Sequence, residues 1–74
     1  MKNVYEIQQF LKKYGTVIYV GSRLADLELM EEELIEMHNS QLIETQEFQN
    51  AIMLLRHEIQ LEKEKNNRKS GDGE

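Results

Sequence analysis

Few residues in this chain could do chemistry, and their spacing limits what kind. His38 and His57 are its two histidines, and neither has a histidine or a carboxylate four residues away. The helical spacing that holds zinc is therefore missing. His38 reads as a helix-end residue at the edge of a core, and His57 as a surface or interface residue. Asp26, Glu28, Glu31, Glu32, Glu33 and Glu36 make a dense acidic run. A hard cation needs converging oxygens, often with a glycine-containing loop. On a helix these carboxylates fan out, so the run reads as a solvated face. Glu31 is the exception: it projects into an apolar arc and must be paired, at the arc's edge or at an interface. Cysteine is absent, as are a glycine-rich phosphate loop and an acid–base pair with an evident pocket. The expectation is a protein that is not an enzyme and holds neither cofactor nor metal.

One constellation suits single-stranded nucleic acid, which needs rings to stack on and cations for phosphates. Tyr5, Gln8 and Lys12 share a helix face, with Lys13 beside them, and Tyr19 and Arg23 can extend it. Charge limits this reading. Net charge is −5, yet residues 1–23 carry +3, residues 24–62 carry −9 and residues 63–74 carry +1. The acidic middle repels phosphate backbones while the first segment does not. A general nucleic-acid binder is disfavoured.

The elements that position these residues follow from periodicity. At about 100° per residue, Leu24, Leu27, Met30, Leu34, Ile35, Met37 and His38 fall on one arc of roughly 160°. Leu29 lies opposite and should be exposed. Ser22 is the expected N-cap, and Asn39 the expected left-handed residue after the helix. Residues 39–41 then leave room only for an antiparallel return. The N-cap of the next helix is Glu44 or Thr45. With Glu44 as cap, Ile43 can clasp Phe48 as a hydrophobic staple. Phe48, Ala51, Ile52, Leu55 and Ile59 form its main stripe, with Leu54 and Leu61 a second ridge on the flank. Ahead of this hairpin, Asn3 caps a helix with Glu6 at N3. Val4, Ile7, Phe10, Leu11 and Tyr14 share its core face, and Gly15 stops it.

Between Gly15 and Gly21 lies Thr-Val-Ile-Tyr-Val, a run of high β-propensity without charge or proline. It should cross one end of the bundle as an extended strap, burying some of Val17, Ile18, Tyr19 and Val20. Its unpaired backbone and apolar side chains call either for the bundle surface or for a partner. The fold expected is all-α: a single compact three-helix bundle over residues 1–65, with helices about 4–14, 23–38 and 45–64. Residues 66–74 contain no apolar side chain and are expected to be a disordered polar tail. A chain of seventy-four residues is marginal alone. With no signal-peptide run and no membrane-length apolar segment, the expected location is cytoplasmic.

Two stretches carry a resemblance. VYEIQQFLKKYGTVIYVG and RLADLELMEEELIEMHNSQLIETQEFQNAIMLLRHEI resemble the YqgQ-like proteins, short uncharacterised cytosolic proteins of Gram-positive bacteria, over about residues 3–62. The tyrosine–glycine helix end, the I-Y-x-G strap, the R-x-A-D-L-E-L-M run and the S-Q-L-I turn carry it. Glu44 stands where the pattern would have a capping Asp. The resemblance implies a three-helix fold of unknown function without assigned enzymatic activity. Single-stranded nucleic-acid binding enters as the alternative it implies. The leading expectation is a non-enzymatic interaction protein, either a homodimer or one docking to another cytosolic protein, through Val17, Ile18, Tyr19, Val20, Leu54 and Leu61. The alternative uses Tyr5, Lys12, Lys13, Tyr19 and Arg23. No membrane partner is expected.

Overall fold

The computed structural model describes the backbone of residues 1–72 and the side chains of residues 1–66. It contains three helices, α1 (Val4–Lys13), α2 (Arg23–Asn39) and α3 (Thr45–Asp72). No strand occurs among the described residues, and the chain is an all-α three-helix bundle. The antiparallel pair α2–α3 is the larger packing surface, and α1 rests on both.

Each helix begins and ends for identifiable reasons. The Asn3 side chain accepts from the Glu6 N–H at 2.9 Å. In return Glu6 accepts from the Lys2 N–H at 2.6 Å, one residue before the cap. This is the variant capping box that the spacing predicts. Ser22 caps α2 by accepting from the Ala25 N–H. The end of α1 is a Schellman turn: Gly15 donates to the Lys12 carbonyl and Thr16 to the Leu11 carbonyl, with Gly15 at φ +87°. The end of α2 repeats that turn with different residues. Gln41 donates to the His38 carbonyl, Leu42 donates to the Met37 carbonyl, and Gln41 sits at φ +61°. The expected left-handed residue was Asn39. It is instead the last helical residue, and the tight return places the positive φ two positions later. Phe48 donates to the Glu44 carbonyl, so Glu44 is the cap residue of α3 and Thr45 its first helical position.

The core is Val4, Ile7 and Leu11 from α1, Leu27, Met30, Leu34 and Met37 from α2, and Ala51, Ile52, Leu55 and Ile59 from α3, closed by Ile43. The buried arc of α2 is narrower than periodicity alone suggests. Ile35, at the arc's margin, is as exposed as Leu29 on the opposite side, both at 37%. Phe48 packs partly buried against the core and stacks on His38 with ring centroids 4.2 Å apart. The His38 ring also lies within hydrogen-bonding reach of the Thr45 hydroxyl. Glu31 finds the partner that its position demands: the Arg56 Nε donates to it at 2.7 Å, tying α2 to α3.

One boundary differs. The expected end of the last helix near residue 64 is passed, and helical backbone continues through Asp72, where composition alone suggests disorder. The stretch after Leu61 has no proline and is rich in Glu and Lys, residues that lose little freedom in a helix. A low apolar content argues against a buried face, not against a helix. Residues 73 and 74, also part of the expected tail, lie outside the described residues.

Candidate functional site

The strap, residues 16–20, is neither helix nor strand. It begins where the Schellman turn of α1 ends, because the αL glycine reverses the chain and sends it back along the bundle. From Thr16 to Tyr19 its side chains alternate. Thr16 and Ile18 turn inward, and Ile18 packs against the core. Val17 and Tyr19 turn outward, 75% and 82% exposed, and Val20 is 59% exposed. Some burial among Val17, Ile18, Tyr19 and Val20 was expected, and Ile18 alone supplies it. The two-residue alternation is that of an extended segment.

Two carboxylates of α2 fasten this segment. The Val20 N–H donates to Asp26 Oδ1 at 2.8 Å, and the Thr16 hydroxyl donates to Glu33 Oε1 at 3.5 Å. The Thr16 N–H is already held by the Leu11 carbonyl. Among the described residues, the N–H groups of Val17, Ile18 and Tyr19 meet no acceptor. In an extended run, successive N–H groups point to opposite edges. The edge shared by Thr16, Ile18 and Val20 is therefore tied to the bundle at its two ends, Thr16 and Val20, with the Ile18 N–H between them free. The edge shared by Val17 and Tyr19 is open. Asp26 and Glu33 are missing from the sequence-based site, since both belong to the acidic run read as a solvated face, and Asp26, in the first turn of α2, also looks like a dipole partner. For Asp26 the available signal was an acid just beyond a glycine-bounded apolar run; Glu33 had none.

Beside the strap is a hollow of about 140 Å³. Leu11, Ile18 and Met30 make its apolar floor, and Gln8, Gln9, Lys12, Thr16 and Val17 its rim. A wider, shallower cleft of about 390 Å³ lies between α1, the start of α2 and α3. Tyr5, Arg23, Leu54 and Glu58 line it, with Lys2 and Gln8. Arg23 and Glu58 approach to 3.5 Å across it. Gln8 is the one residue common to both hollows.

The two predicted residue sets are each divided by this geometry. In the interaction set, Val17, Ile18, Tyr19 and Val20 are contiguous, but Leu54 is half-buried in the wider cleft. Leu61 lies 46% exposed two turns further along α3. Neither Leu54 nor Leu61 lines the hollow beside the strap. In the nucleic-acid set, Tyr5 and Arg23 meet in the wider cleft, Lys12 lines the smaller hollow, and Lys13 and Tyr19 line neither. Among the described residues, no three His, Cys, Asp or Glu side chains are placed to hold a metal ion. No helix there is long and apolar enough to cross a membrane.

The model of the YqgQ-like family matches residues 1–61, which takes in all three helix starts, the strap and every residue buried among the described side chains. The chain belongs to the YqgQ-like family. It is 38% identical over 68 residues to the uncharacterised protein YqgQ of Bacillus subtilis (strain 168), covering 92% of this chain and 93% of that one. The match to the YqgQ-like family therefore spans the strap and both hollows together with the core that holds them, and the family's function is unknown.

Proposed function

We propose that this protein is a non-enzymatic cytoplasmic interaction module that associates with a second copy of itself through the outer edge of its strap. The observation that carries the reading is the asymmetry of residues 16–20. One edge is bonded to α1 and α2, while the other presents the free N–H groups of Val17 and Tyr19 beneath exposed apolar side chains. An open edge flanked by apolar side chains is a template for strand addition. Its short length, with Thr16 and Val20 bonded at the two ends, suits a defined pairing rather than open-ended growth. A small domain also gains from the apolar area that a second copy supplies. The reading requires no cofactor or metal.

Light scattering across a hundredfold dilution tests it, with a dimer mass expected at the concentrated end. Val17→Lys should dissociate the dimer and keep helical content, because Val17 is outside the core. Ile18→Lys is a poor probe, since it puts a charge against the core. A monomer mass at every concentration would remove the homodimer, and the strap edge would then be a docking site for a different protein.

A second reading, single-stranded nucleic-acid binding, draws support from the wider cleft, where Tyr5, Arg23, Lys2 and Gln8 stand together. Against it, Glu58 shares the cleft and pairs with Arg23. Titration with labelled oligonucleotides at low salt separates the two. Phosphate binding weakens steeply as salt is added, whereas apolar pairing hardly changes. Tyr5→Ala would lose about 1–3 kcal/mol of stacking, and no binding at tens of micromolar protein would eliminate the reading.

A further inference from the structure

We infer that residues 17–20 are a latched cover over one side of the core, which swings off α2 as one piece and uncovers Leu11 and Met30 while the three helices stay packed. The inference is independent of strap pairing, which uses the opposite edge.

The course of the strap fixes what it covers. Val20 is bonded to Asp26 and Thr16 to Glu33, so the strap runs antiparallel to α2 along one flank. Asp26, Met30 and Glu33 are four and three residues apart and share that flank. Four extended steps span roughly 13 Å, and the helical rise from Asp26 to Glu33 is roughly 10 Å. The two spans are close enough that Ile18, midway between the fastened ends, meets α2 midway between the two carboxylates, at Met30. In agreement, Ile18 packs against the buried core and lines one hollow with Leu11 and Met30. Leu11 and Met30 are each only 1% exposed, so the cover is closed.

Little holds it closed. The Val20–Asp26 bond is short, at 2.8 Å, but solvent-exposed, and the Thr16–Glu33 bond is stretched to 3.5 Å. Ile18 is the one strap side chain packed on the core, and it is half-buried. The N–H groups of Val17, Ile18 and Tyr19 meet no acceptor among the described residues, so no ladder resists separation. The buried core takes no member from the strap, and its packing is kept when the strap leaves. Both ends allow the motion. Thr16 stays anchored through its N–H to the Leu11 carbonyl. Gly21, at φ +87°, has nothing within 4 Å of an added Cβ, so its backbone can turn without meeting a neighbour. Segments with few apolar contacts and exposed hydrogen bonds open at a fraction of the global unfolding free energy. Release of Asp26 leaves Ile18 held by its own contact and the weak Thr16 bond, so the ties fail together. The open form enlarges the hollow of about 140 Å³ by the space of the Ile18 side chain and floors it with Leu11 and Met30.

The test uses the full chain at the dilute end of the concentration series. With no cysteine in the sequence, a single thiol can be introduced and its reaction with a chromogenic aryl disulfide followed. Met30→Cys reports the covered floor. Leu55→Cys, equally buried but outside the hollow, reports global unfolding. Both are labelled across urea concentrations below the unfolding transition. A local opening exposes little surface, so its rate barely changes with urea, whereas the global route steepens. We expect Met30→Cys to label at least tenfold faster than Leu55→Cys without urea, with a nearly flat urea dependence, and Leu55→Cys to rise steeply. Asp26→Ala should speed the flat labelling about fivefold, the factor for one lost hydrogen bond, and Glu33→Ala about twofold. Leu11→Cys replaces Met30→Cys if the latter does not fold. Hydrogen exchange at the Val20 and Leu55 amides of the unaltered chain gives a second measurement, flat and steep in urea respectively. Equal steepness at the covered and control thiols, or at the two amides, overturns the inference. Flat exchange at Val20 with steep labelling of the covered thiol also overturns it, since the Asp26 bond would then break alone. So does flat labelling that ignores Asp26→Ala, since the latch would then not govern the opening.

Discussion

Gln41 occupies a backbone position that glycine would fill with less strain. Its φ of +61° lies in the left-handed region, which costs a residue with a Cβ roughly 1–2 kcal/mol. Gln41→Gly relieves that cost and adds back some unfolded-state freedom. We expect a net gain of about 0.5–1 kcal/mol, or a few degrees in Tm for a domain of this size. Gly15 gives the mirror experiment. Nothing lies within 4 Å of a Cβ added there, so the loss on Gly15→Ala, about 1 kcal/mol, is conformational and not steric. Thermal melts of the two variants should therefore move in opposite directions. Phe48 is the third informative residue. It is packed against the core and stacked on His38, and Phe48→Ala should cost about 3 kcal/mol, at the low end of buried aromatic truncations because the ring is partly exposed. A melt within a few degrees of the parent would contradict that placement. Glycine at 15 and serine at 22 were legible in the sequence because their side chains, or lack of one, match one backbone role each. Gln41 was not, because the position of positive φ is set by how the return closes and not by residue type.

Among the elements, α1, α2 and the packed turns of α3 were readable from apolar spacing and caps, since a buried stripe is repeated every turn, whereas the turns of α3 beyond residue 64 carry no such stripe. The strap was readable as an apolar run between glycines, but its orientation was not. Which of its residues face inward depends on where the Schellman turn releases the chain and on Asp26, whose bond to Val20 has no periodic signature. The same holds for the His38–Phe48 stack, which exists only once α2 and α3 are side by side. Asp26→Ala is the variant that tests the fastening. It should cost about 1 kcal/mol, leave the helices in place, and loosen the strap's pairing. Amide exchange gives a finer view. Val20 should be protected in the isolated chain, and Val17 and Tyr19 should exchange freely. Protection at those two should appear together as concentration rises. Protection of Val17 and Tyr19 at high dilution would mean that the outer edge already has an acceptor within the monomer.

At the scale of the molecule, a small core and an association surface are linked. Binding between folded copies stabilises the folded state by mass action, so Tm should rise with protein concentration for the parent and not for Val17→Lys. Among the described side chains the last buried residue of α3 is Ile59, although helical backbone continues to Asp72. Ending the chain after Lys65 should therefore leave Tm nearly unchanged, and a large drop would show that the distal turns support the core. The overhang has a further consequence for any measurement of size. The molecule extends 47 × 22 × 19 Å, more than twice as long as it is wide. An elongated particle feels more drag than a sphere of equal mass. A monomer of this shape will leave a gel-filtration column early, at the volume of a heavier globular standard, and can be mistaken there for a pair. Tumbling will also be anisotropic, with amide vectors along α3 relaxing unlike those of the strap, so a correlation time from a spherical fit would err in the same direction.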